Sequence, residues 1–398
     1  MAVQNTTTVL SSDPSIQEFF GTVPSSTGVA VNELSAMRVA AVYACVRIIA
    51  GAIASLPLDI YRREPNGQRK KVNEADSLWW LLNEEPQARW TASSMWKWLI
   101  KSELLRGDGF ARIIRAPNGT PIELQPIRAL GTYVKLTNNR LTYFYLDDYG
   151  EPRGCDQEDM LHIPGFGFDG LRGMSAIQWG AKSGIGIAIA TDEFSGRFFG
   201  SGAMVRHVIK APGKMNEGQR EALREAWVQR HTGLENAYRP LILTEGLDVS
   251  ELSLSAEDSQ LLEARKFQVI DICRAFGVPP FMVGETEKTT SFGAGVEHLS
   301  LGFIKYTLQD RLTSIEQELN RKLFRTASRF VKFNVDELLR GDAATRATFL
   351  RQMVGGSQGP GIISQNEARL SEGYIAIPGA DSLYDPTTAK GTQANAPA

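Results

Sequence analysis

The chain has 398 residues, and its 43 Lys and Arg side chains against 45 Asp and Glu give a formal charge of −2. A nearly neutral total gives no support for a protein that coats nucleic acid, although local patches of charge remain compatible with binding. The three cysteines are widely separated and form no C-x-x-C pair, which argues against a disulfide framework or a zinc cluster and suits a reducing compartment.

The N-terminal residues 1–35 are rich in Ser, Thr and Pro and predict an extended arm. The next segment carries the apolar stripe of an amphipathic helix, with spacings of 4, 3, 4 and 3: Val42, Val46, Ile49, Ile53 and Leu56. Pro57 ends this helix, and a short strand follows with Leu58 and Ile60 on one face. Arg47 divides the apolar run, so the segment is shorter than the roughly 20 apolar residues of a transmembrane helix. We therefore expect no membrane span here.

A tryptophan-rich region comes next, with five of the seven tryptophans within residues 79–98. These rings are expected to fill a core or an interface. The pattern predicts a helix, an Asn and Pro break, and a second helix from about Ser93 to Arg106. A hairpin is predicted over residues 110–127, with Pro-Asn-Gly in its turn, and further strands over 132–148 and 159–178.

Residues 175–200 predict a helix of about 26 residues, roughly 39 Å long if it is helical throughout. Its packing stripe contains glycines in the middle: Ile177, Gly180, Gly184, Ile187, Thr191, Phe194 and Phe198. Each interior glycine costs about 1 kcal/mol relative to Ala, so another element is expected to press closely against this helix. The G-x-x-x-G of Gly180 and Gly184 also occurs in membrane helices, but the flanking charges leave too short an apolar run.

Residues 202–256 predict a compact insert of strands around one helix. Ser255 and Asp258 form a capping pattern that opens a second helix, ended by Gly277 and two prolines. Residues 206–230 hold six basic and three acidic side chains, whereas residues 245–263 hold six acids and no Lys or Arg. These bands of charge indicate either solvated helix faces or contacts between neighbouring copies, and both interpretations stay open.

Residues 284–295, GETEKTTSFGAG, form a loop of Gly, Thr, Ser and charge, and loops of this length are often functional. A helix of about 30 residues is predicted to follow. Its buried face should carry Ile304, Leu308, Leu312, Ile315, Leu319 and Leu323. A smaller helical unit is predicted to about Tyr374, and a polar tail ends the chain.

Catalytic motifs are missing from this sequence. It has no Walker G-x-x-x-x-G-K-[ST] and no G-x-S-x-G elbow, and its four histidines lack metal-ligand spacing. Asp159 and His162 are three residues apart; we interpret them as a strand-edge pair, with a catalytic pair as the alternative. No catalytic residue, metal site or cofactor is predicted.

Five blocks of sequence resemble the tailed-bacteriophage portal protein family, in the family's order and over roughly residues 36–330. They are VYACVRIIAGAIASLPLDIYRR, LWWLLNEEPQARWTASSMWKWLIKSELLRGDGFARIIR, DMLHIPGFGFDGLRGMSAI, DSQLLEARKFQVIDICRAFGVPPFMVGE and LQDRLTSIEQELNRKLF. The resemblance implies an α+β portal fold with a wing, a helical stem, a small α/β clip and a helical crown, assembled as a ring around a central channel.

The family's parts are carried onto this chain by position. They are an N-terminal arm (1–35), the wing (36–172), a first stem helix (173–200), the clip (201–256), a second stem helix (257–280), the tunnel loop (281–296), a long helix of wing and crown (297–330), the crown (331–378) and a flexible tail (379–398).

The resemblance also implies a function and partners. The ring, of 12 subunits in the virion, would be the conduit for double-stranded DNA at one capsid vertex, made in the host cytoplasm and without a membrane. It would contact terminase, the major capsid protein and the head-tail connector. The acids of residues 245–263 suit such a conduit, because phosphate binding comes from Lys and Arg.

Two sets of residues are predicted to carry this function. The tunnel loop would face DNA with Lys288, Thr289, Thr290 and Ser291, and the stem would pack through Gly180, Gly184, Ile187, Phe194 and Phe198. A neighbouring subunit is one candidate for the element that packs on the stem glycines. The alternative for Lys288 is an ordinary solvated lysine. The alternative functions are a metal-dependent nucleic-acid-processing enzyme, built from acids that converge in the fold, and a monomeric assembly adaptor.

Overall fold

A computed structural model describes the chain in segments. These are residues 23–24, 28–73, 76–200, 207–210, 216–218, 220–222, 225, 248–251, 255–285, 294–324, 326, 328–335, 338, 343–356 and 359–385. The chain divides into two compact units, Met1–Asn334 and Val335–Ala398. The two units are described separately.

The first unit opens with a two-stranded pair, β1 (Val23–Pro24) and β2 (Ala30–Val31), and a short helix α1 (Glu33–Met37). Helix α2 (Ala40–Ala54) then carries the predicted apolar stripe. All five stripe residues are buried, with at most 6% of each exposed. The predicted helix is confirmed. Burial of a Val, Leu or Ile side chain contributes about 1.5–3 kcal/mol, so the helix packs this apolar face against the interior.

Strand β3 (Leu58–Arg63) follows, with Leu58 and Ile60 fully buried as predicted. It is the middle strand of a sheet ordered β13-β3-β4, in which β4 is Arg69–Lys71 and β13 is Arg329–Phe333. Both pairings are antiparallel, and Phe333 lies opposite Leu58. This sheet therefore joins the beginning of the first unit to its end.

The tryptophan-rich region forms α3 (Ser77–Asn83) and α4 (Ala92–Arg106). Thr91 caps α4 by accepting a hydrogen bond from the Ser94 N–H, and Gly107 ends it in the left-handed region at φ +90°. Trp96 is buried and donates from Nε1 to the Leu82 carbonyl at 3.1 Å, whereas 57% of Trp80 is exposed. The tryptophans thus differ in environment, although most of them contact the interior.

The first unit contains two further three-stranded sheets. The predicted hairpin is present as β5 (Asp108–Arg115) and β6 (Pro121–Ile127), and β10 (Met160–Pro164) pairs with the other side of β5. A meander of β7 (Tyr133–Thr137), β8 (Arg140–Leu146) and β9 (Pro152–Asp156) packs one face against this sheet. Their shared core is Phe110, Ile127, Ala129, Val134, Tyr143, Tyr145, Cys155 and Met160.

The segment predicted as one helix over 175–200 is two helices, α5 (Ala176–Trp179) and α6 (Lys182–Gly200). The break lies at Gly180, where the N–H groups of Gly180 and Ala181 both donate to the Ala176 carbonyl at 3.0 Å. Two donors on one carbonyl interrupt the regular i to i−4 ladder, which bends the chain at this glycine.

The insert contributes β11 (His207–Lys210) and β12 (Asp248–Glu251), which pair antiparallel, and the helix α7 (Ser255–Phe276) follows. The predicted capping residue Ser255 is itself the first residue of this helix. A 3₁₀ turn over Pro280–Val283 ends at Gly284, which adopts φ +96°.

The last long helix of the first unit runs from Ala294 to Phe324 as α8 (Ala294–Phe303) and α9 (Gln309–Leu319), each followed by a π-helical segment: Ile304–Leu308 and Asn320–Phe324. All six residues of its predicted apolar face are buried. The predicted stripe is confirmed, and the π-helical segments adjust its phase along this length.

The second unit contains α10 (Ala343–Val354) and α11 (Gln365–Ser371). A capping box begins α11, in which Ser364 and Glu367 each accept a hydrogen bond from the other's backbone N–H. Asn366 then donates to the Ile377 carbonyl and to Asp381, both at 2.8 Å. These bonds hold the residues after α11 against it.

Candidate functional site

A buried carboxylate, Asp108, lies where the tryptophan-rich helix α4 passes into β5, and it is fully inaccessible to solvent. Its Oδ1 lies 2.8 Å from His162 Nε2 and accepts from the Gly173 N–H at 2.8 Å. Its Oδ2 accepts from Arg172 Nε at 2.5 Å. A buried charge is costly unless it is paired and hydrogen-bonded, so these contacts stabilise the Asp108 carboxylate in one fixed position. We call the set Gly107, Asp108, His162, Gly165, Arg172 and Gly173 the Asp108 junction.

Glycines bring the backbone segments of the junction into contact. The Gly165 N–H donates to the Gly107 carbonyl at 2.7 Å. A Cβ on Gly107 would lie 2.3 Å from the Gly173 carbonyl oxygen, and a Cβ on Gly173 would lie 2.2 Å from the Gly107 carbonyl oxygen. Neither position has room for a side chain, and Gly107 in addition has positive φ. The loop over residues 165–174 is therefore seated directly on the end of α4.

The junction positions the start of α5. Ser175 donates from Oγ to the Leu105 carbonyl at 2.7 Å and accepts from the Gln178 N–H at 3.3 Å, so one hydroxyl caps α5 and attaches it to α4. Arg172 also donates from Nη1 to the Thr132 carbonyl at 2.9 Å. The segment that leads into the stem is thus held by both a helix and the meander.

A second layer of polar groups surrounds His162. Tyr143 Oη lies 3.2 Å from His162 Nδ1, which leaves Nε2 to donate to Asp108. The His162 backbone N–H donates to Glu318 Oε1 of α9 at 3.2 Å. Burial raises the pKa of Tyr143, so its hydroxyl keeps its proton and can donate to the imidazole.

Glu103 connects the end of α4 to the long helix. Its Oε1 accepts from Arg311 Nη1 at 3.1 Å. Burial raises the pKa of Glu103, and the nearby Arg311 guanidinium only partly offsets this effect. Together with the Asp108 junction, this contact connects α4, β5, β10 and α9 to the segment that begins α5.

Gly180 and Gly184, the glycines predicted to pack the stem, lie against α7 of the same chain. A Cβ on Gly180 would lie 3.3 Å from Ala275 Cβ, and one on Gly184 would lie 3.8 Å from Ile272 Cγ1. The element that presses closely on these two positions is therefore α7 of the same chain. A neighbouring subunit is not required to explain them.

Other predicted stem residues have a different environment. Ile187 is 38% exposed, while Phe194 and Phe198 lie in α6 but their side chains are outside the described part. An ion pair between Asp192 and Arg265 joins α6 to α7. In the β11-β12 pair, His207 lies opposite Glu251 and Lys210 lies opposite Asp248 in the backbone register.

The predicted tunnel-loop residues Lys288, Thr289, Thr290 and Ser291 lie outside the residues that the structure describes. Their role stays a prediction.

The Asp159 and His162 pair predicted at the strand edge is not formed. Asp159 accepts from Arg115 Nε at 2.7 Å, and His162 points instead to Asp108. Sequence reasoning missed Asp108, although it stands between two glycines in the RGDGF segment, and Arg172 stands before a glycine in GLRGM. These Gly-flanked charges, in two of the five blocks, were the available signal.

Within the segments described, no group of three or more His, Cys, Asp or Glu side chains could hold a metal ion. Among the same residues, none of the helices combines the length and apolar character needed to cross a membrane.

Comparison with known proteins gives the family. The family model described as "Phage portal protein" matches residues 40–373. The portal protein of Enterobacteria phage HK97 is 33% identical over 370 residues, covering 91% of this chain and 86% of the relative. The "Probable portal protein" of Streptomyces phage phiC31 is 34% identical over 380 residues, covering 92% and 80%. The chain belongs to the phage portal protein family.

Solved structures agree on the fold of this portal protein. A chain from the neck of an empty gene transfer agent particle has a TM-score of 0.59 at 23% identity, covering 87% of this chain and 94% of that one. The crystal structure of an HK97 family phage portal protein from Corynebacterium diphtheriae has a TM-score of 0.56 at 15% identity, covering 76% and 95%. The predicted α+β portal fold is confirmed.

Membership of this family establishes a structural role in the capsid as a portal component of the virion, and the protein is not an enzyme. The two alternative functions, a metal-dependent enzyme and a monomeric adaptor, are therefore not retained.

Proposed function

We propose that this portal protein assembles into a ring, of 12 subunits in the virion, through which double-stranded DNA enters the capsid and later leaves it. In this proposal the clip (201–256) docks terminase during packaging and the head-tail connector afterwards, and the wing contacts the major capsid protein. The protein would be made in the host cytoplasm before it joins the capsid.

The arrangement of the two stem helices is the observation that supports this proposal most directly. Gly184 of α6, and Gly180 just before this helix, pack against α7, so the two helices lie side by side. Between them in sequence lies the short β11-β12 pair. Two packed helices with a small strand pair between them in sequence suit a docking clip that a stem connects to the capsid.

Apolar side chains that remain exposed on these helices support assembly. Ile187 on α6 is 38% exposed and Phe267 on α7 is 57% exposed. Burial of such side chains between subunits would remove apolar surface from water, at about 25 cal/mol per Å². We propose that they contribute to the contact between neighbouring stems.

The assembly experiment compares two variants by negative-stain electron microscopy and light scattering. Ile187→Asp combined with Phe267→Asp should reduce the fraction of protein in rings, because charges would be buried in the contact. Ile122→Asp is the matched control, since Ile122 is 58% exposed on β6. Rings with a central hole in the wild type would support the proposal. A wild-type protein that stays monomeric and is also missing from virions made in infected cells would contradict it.

The tunnel loop has its own test. We propose that Lys288 contacts phosphates transiently while Thr289, Thr290 and Ser291 let the loop bend. Lys288→Glu should leave rings intact and alter the packaging rate or the length of packaged DNA, because it reverses the charge that meets the phosphates. Lys135→Glu on the exposed side of β7 is the control for a general effect of charge. Normal packaging by Lys288→Glu would remove this residue from the proposal.

A further inference from the structure

One face of the β13-β3-β4 sheet combines basic and aromatic side chains. Tyr61 lies opposite both Phe330 and Lys71, and Arg63 lies opposite Arg69. Because side chains alternate between the two faces of a strand, these residues share one face with Lys332. We call it the basic sheet face: Tyr61, Arg63, Arg69, Lys71, Phe330 and Lys332.

The basic sheet face is the outer face of its sheet. The opposite face carries Leu58, Ile60, Val331 and Phe333, which are buried with at most 3% of each exposed. On the outer face Arg63, Arg69, Lys71 and Lys332 are exposed. The core therefore lies behind this sheet, and its cations point away from the core.

Among the described residues of the three strands, one acid lies on this face. Asp59 lies opposite Lys332, is 2% exposed and is bound to Lys71 at 2.8 Å and to Asn73 at 2.8 Å. Its charge is therefore already matched by Lys71. Among the residues that the structure describes, Arg63 and Arg69 form no ion pair with an acid, whereas Lys332 lies near the Glu316 carboxyl and partly offsets the rise that burial causes in its pKa.

The two arginines are placed side by side despite their like charge. Directly opposed like charges destabilise a strand pair. Here the guanidinium carbons of Arg63 and Arg69 lie 5.1 and 5.5 Å from the centre of the Phe330 ring, which itself stacks on Tyr61 at 5.5 Å. The ring face attracts both cations and holds them in a fixed position. An anion that bridged the two guanidinium groups would relieve their repulsion.

We infer that the basic sheet face binds the phosphate backbone of double-stranded DNA. Planar guanidinium groups bind phosphate oxygens through paired hydrogen bonds, and neighbouring strands about 4.8 Å apart spread the cations over a distance that spans more than one phosphate. An acidic peptide would be expected to add itself to a sheet edge through backbone hydrogen bonds, whereas these cations cover a face.

This surface goes beyond the proposed function, which assigns DNA contact to the loop around Lys288. The inference rests on the proposed function only for the choice of duplex DNA as the polyanion. A failure of the inference can be distinguished from a failure of the proposed function, because ring formation seen by electron microscopy does not depend on DNA binding at this face.

The test measures binding of a fluorescent duplex of random sequence by anisotropy over a series of salt concentrations. The variant Arg63→Gln, Arg69→Gln, Lys332→Gln removes three cations from the face. The control variant Arg47→Gln, Lys97→Gln, Lys135→Gln removes three exposed cations on other elements. We expect the first variant to lower the slope of log K against log salt by about 2–3 and to weaken binding more than about tenfold at low salt. The control should change the slope by less than about 1.

Several results would overturn the inference. Equal losses in the two triple variants would mean that only net charge matters, and an unchanged slope in the first variant would mean that the face makes no phosphate contact. A polyglutamate peptide that binds the wild-type face while duplex DNA does not would assign the surface to an acidic protein instead. If the triple variant unfolds at a lower temperature than the wild type, the single variants Arg63→Gln and Lys332→Gln are measured separately, each with an expected slope loss of about 1.

Discussion

Replacement of Asp108 by Asn tests whether the Asp108 junction holds α4 and β5 to the segment that begins α5. The substitution keeps Oδ1, so the contacts from His162 Nε2 and the Gly173 N–H, each at 2.8 Å, can remain. It replaces Oδ2 by an amide donor that faces the donor Arg172 Nε, now 2.5 Å from the carboxylate. The perturbation is therefore one lost charge-assisted hydrogen bond and one new clash between donors.

The size of the effect follows from these contacts. A hydrogen bond to a charged group contributes about 1.5–3 kcal/mol, and removal of one partner from a buried ion pair costs about 3–5 kcal/mol. Arg172 is 35% exposed and can turn towards water, which limits the loss. We expect Asp108→Asn to lower the free energy of unfolding by about 2–3 kcal/mol. Asp108→Ala, which loses all these contacts, should lower the free energy of unfolding by more than Asp108→Asn does.

Urea unfolding followed by tryptophan fluorescence is the assay, since five of the seven tryptophans lie within residues 79–98, close to the junction in sequence. Hydrogen exchange over residues 165–174 should increase in the variant, because this loop is held by Asp108. The control Asp148→Asn breaks a surface pair with Arg89 and should cost less than about 1 kcal/mol. An Asp108→Asn protein within about 0.5 kcal/mol of the wild type, with unchanged exchange, would refute the reasoning.

Three further predictions concern other contacts of the first unit. Gly107→Ala should destabilise the protein by more than about 2 kcal/mol in thermal or urea unfolding, because φ is +90° and the new Cβ would lie 2.3 Å from the Gly173 carbonyl oxygen. The control Gly119→Ala should cost only about 1 kcal/mol, because Gly119 has a similar φ of +82° but open space around it. Cys45 and Cys273 are buried with their sulfurs 4.0 Å apart, so both thiols should resist a small disulfide reagent in the folded protein and react only when it opens. Rapid modification of either thiol under native conditions, detected by mass spectrometry, would contradict this packing. Burial raises the pKa of Glu103 above 4.5 in the folded protein. The stability that its protonated form contributes is therefore present below pH 4.5 and is lost as the pH rises through the raised pKa. Over this pH range the free energy of unfolding of the wild type should fall relative to that of Glu103→Gln, and a difference that stays constant with pH would contradict the raised pKa.

The elements that could be predicted from the sequence are those whose signal is local. Residues of one helix stripe or one hairpin lie within a few positions of each other, so periodicity and turn chemistry are sufficient to identify them. The stripe from Val42 to Leu56, the hairpin over residues 110–127 and the buried face from Ile304 to Leu323 follow this rule. The family could be recognised for a related reason, since its blocks keep their order along the chain.

The functional details needed contacts between distant positions. Asp108 meets residues 54, 64 and 65 positions away, and periodicity carries no information on such partners. The partner of the stem glycines is α7 of the same chain, more than 80 positions away, so the glycine stripe indicated close packing without naming what packs.

The sequence by itself determined the helices, the hairpin, the portal family and the need for a close neighbour at Gly180 and Gly184. Only the tertiary structure decided that Asp108, His162 and Arg172 form one buried cluster, and that strands beginning at Leu58 and Arg329 create a basic outer face. The physical reason is that side chains far apart in sequence become neighbours only after the chain has closed its long loops, and local propensity does not specify which loops close.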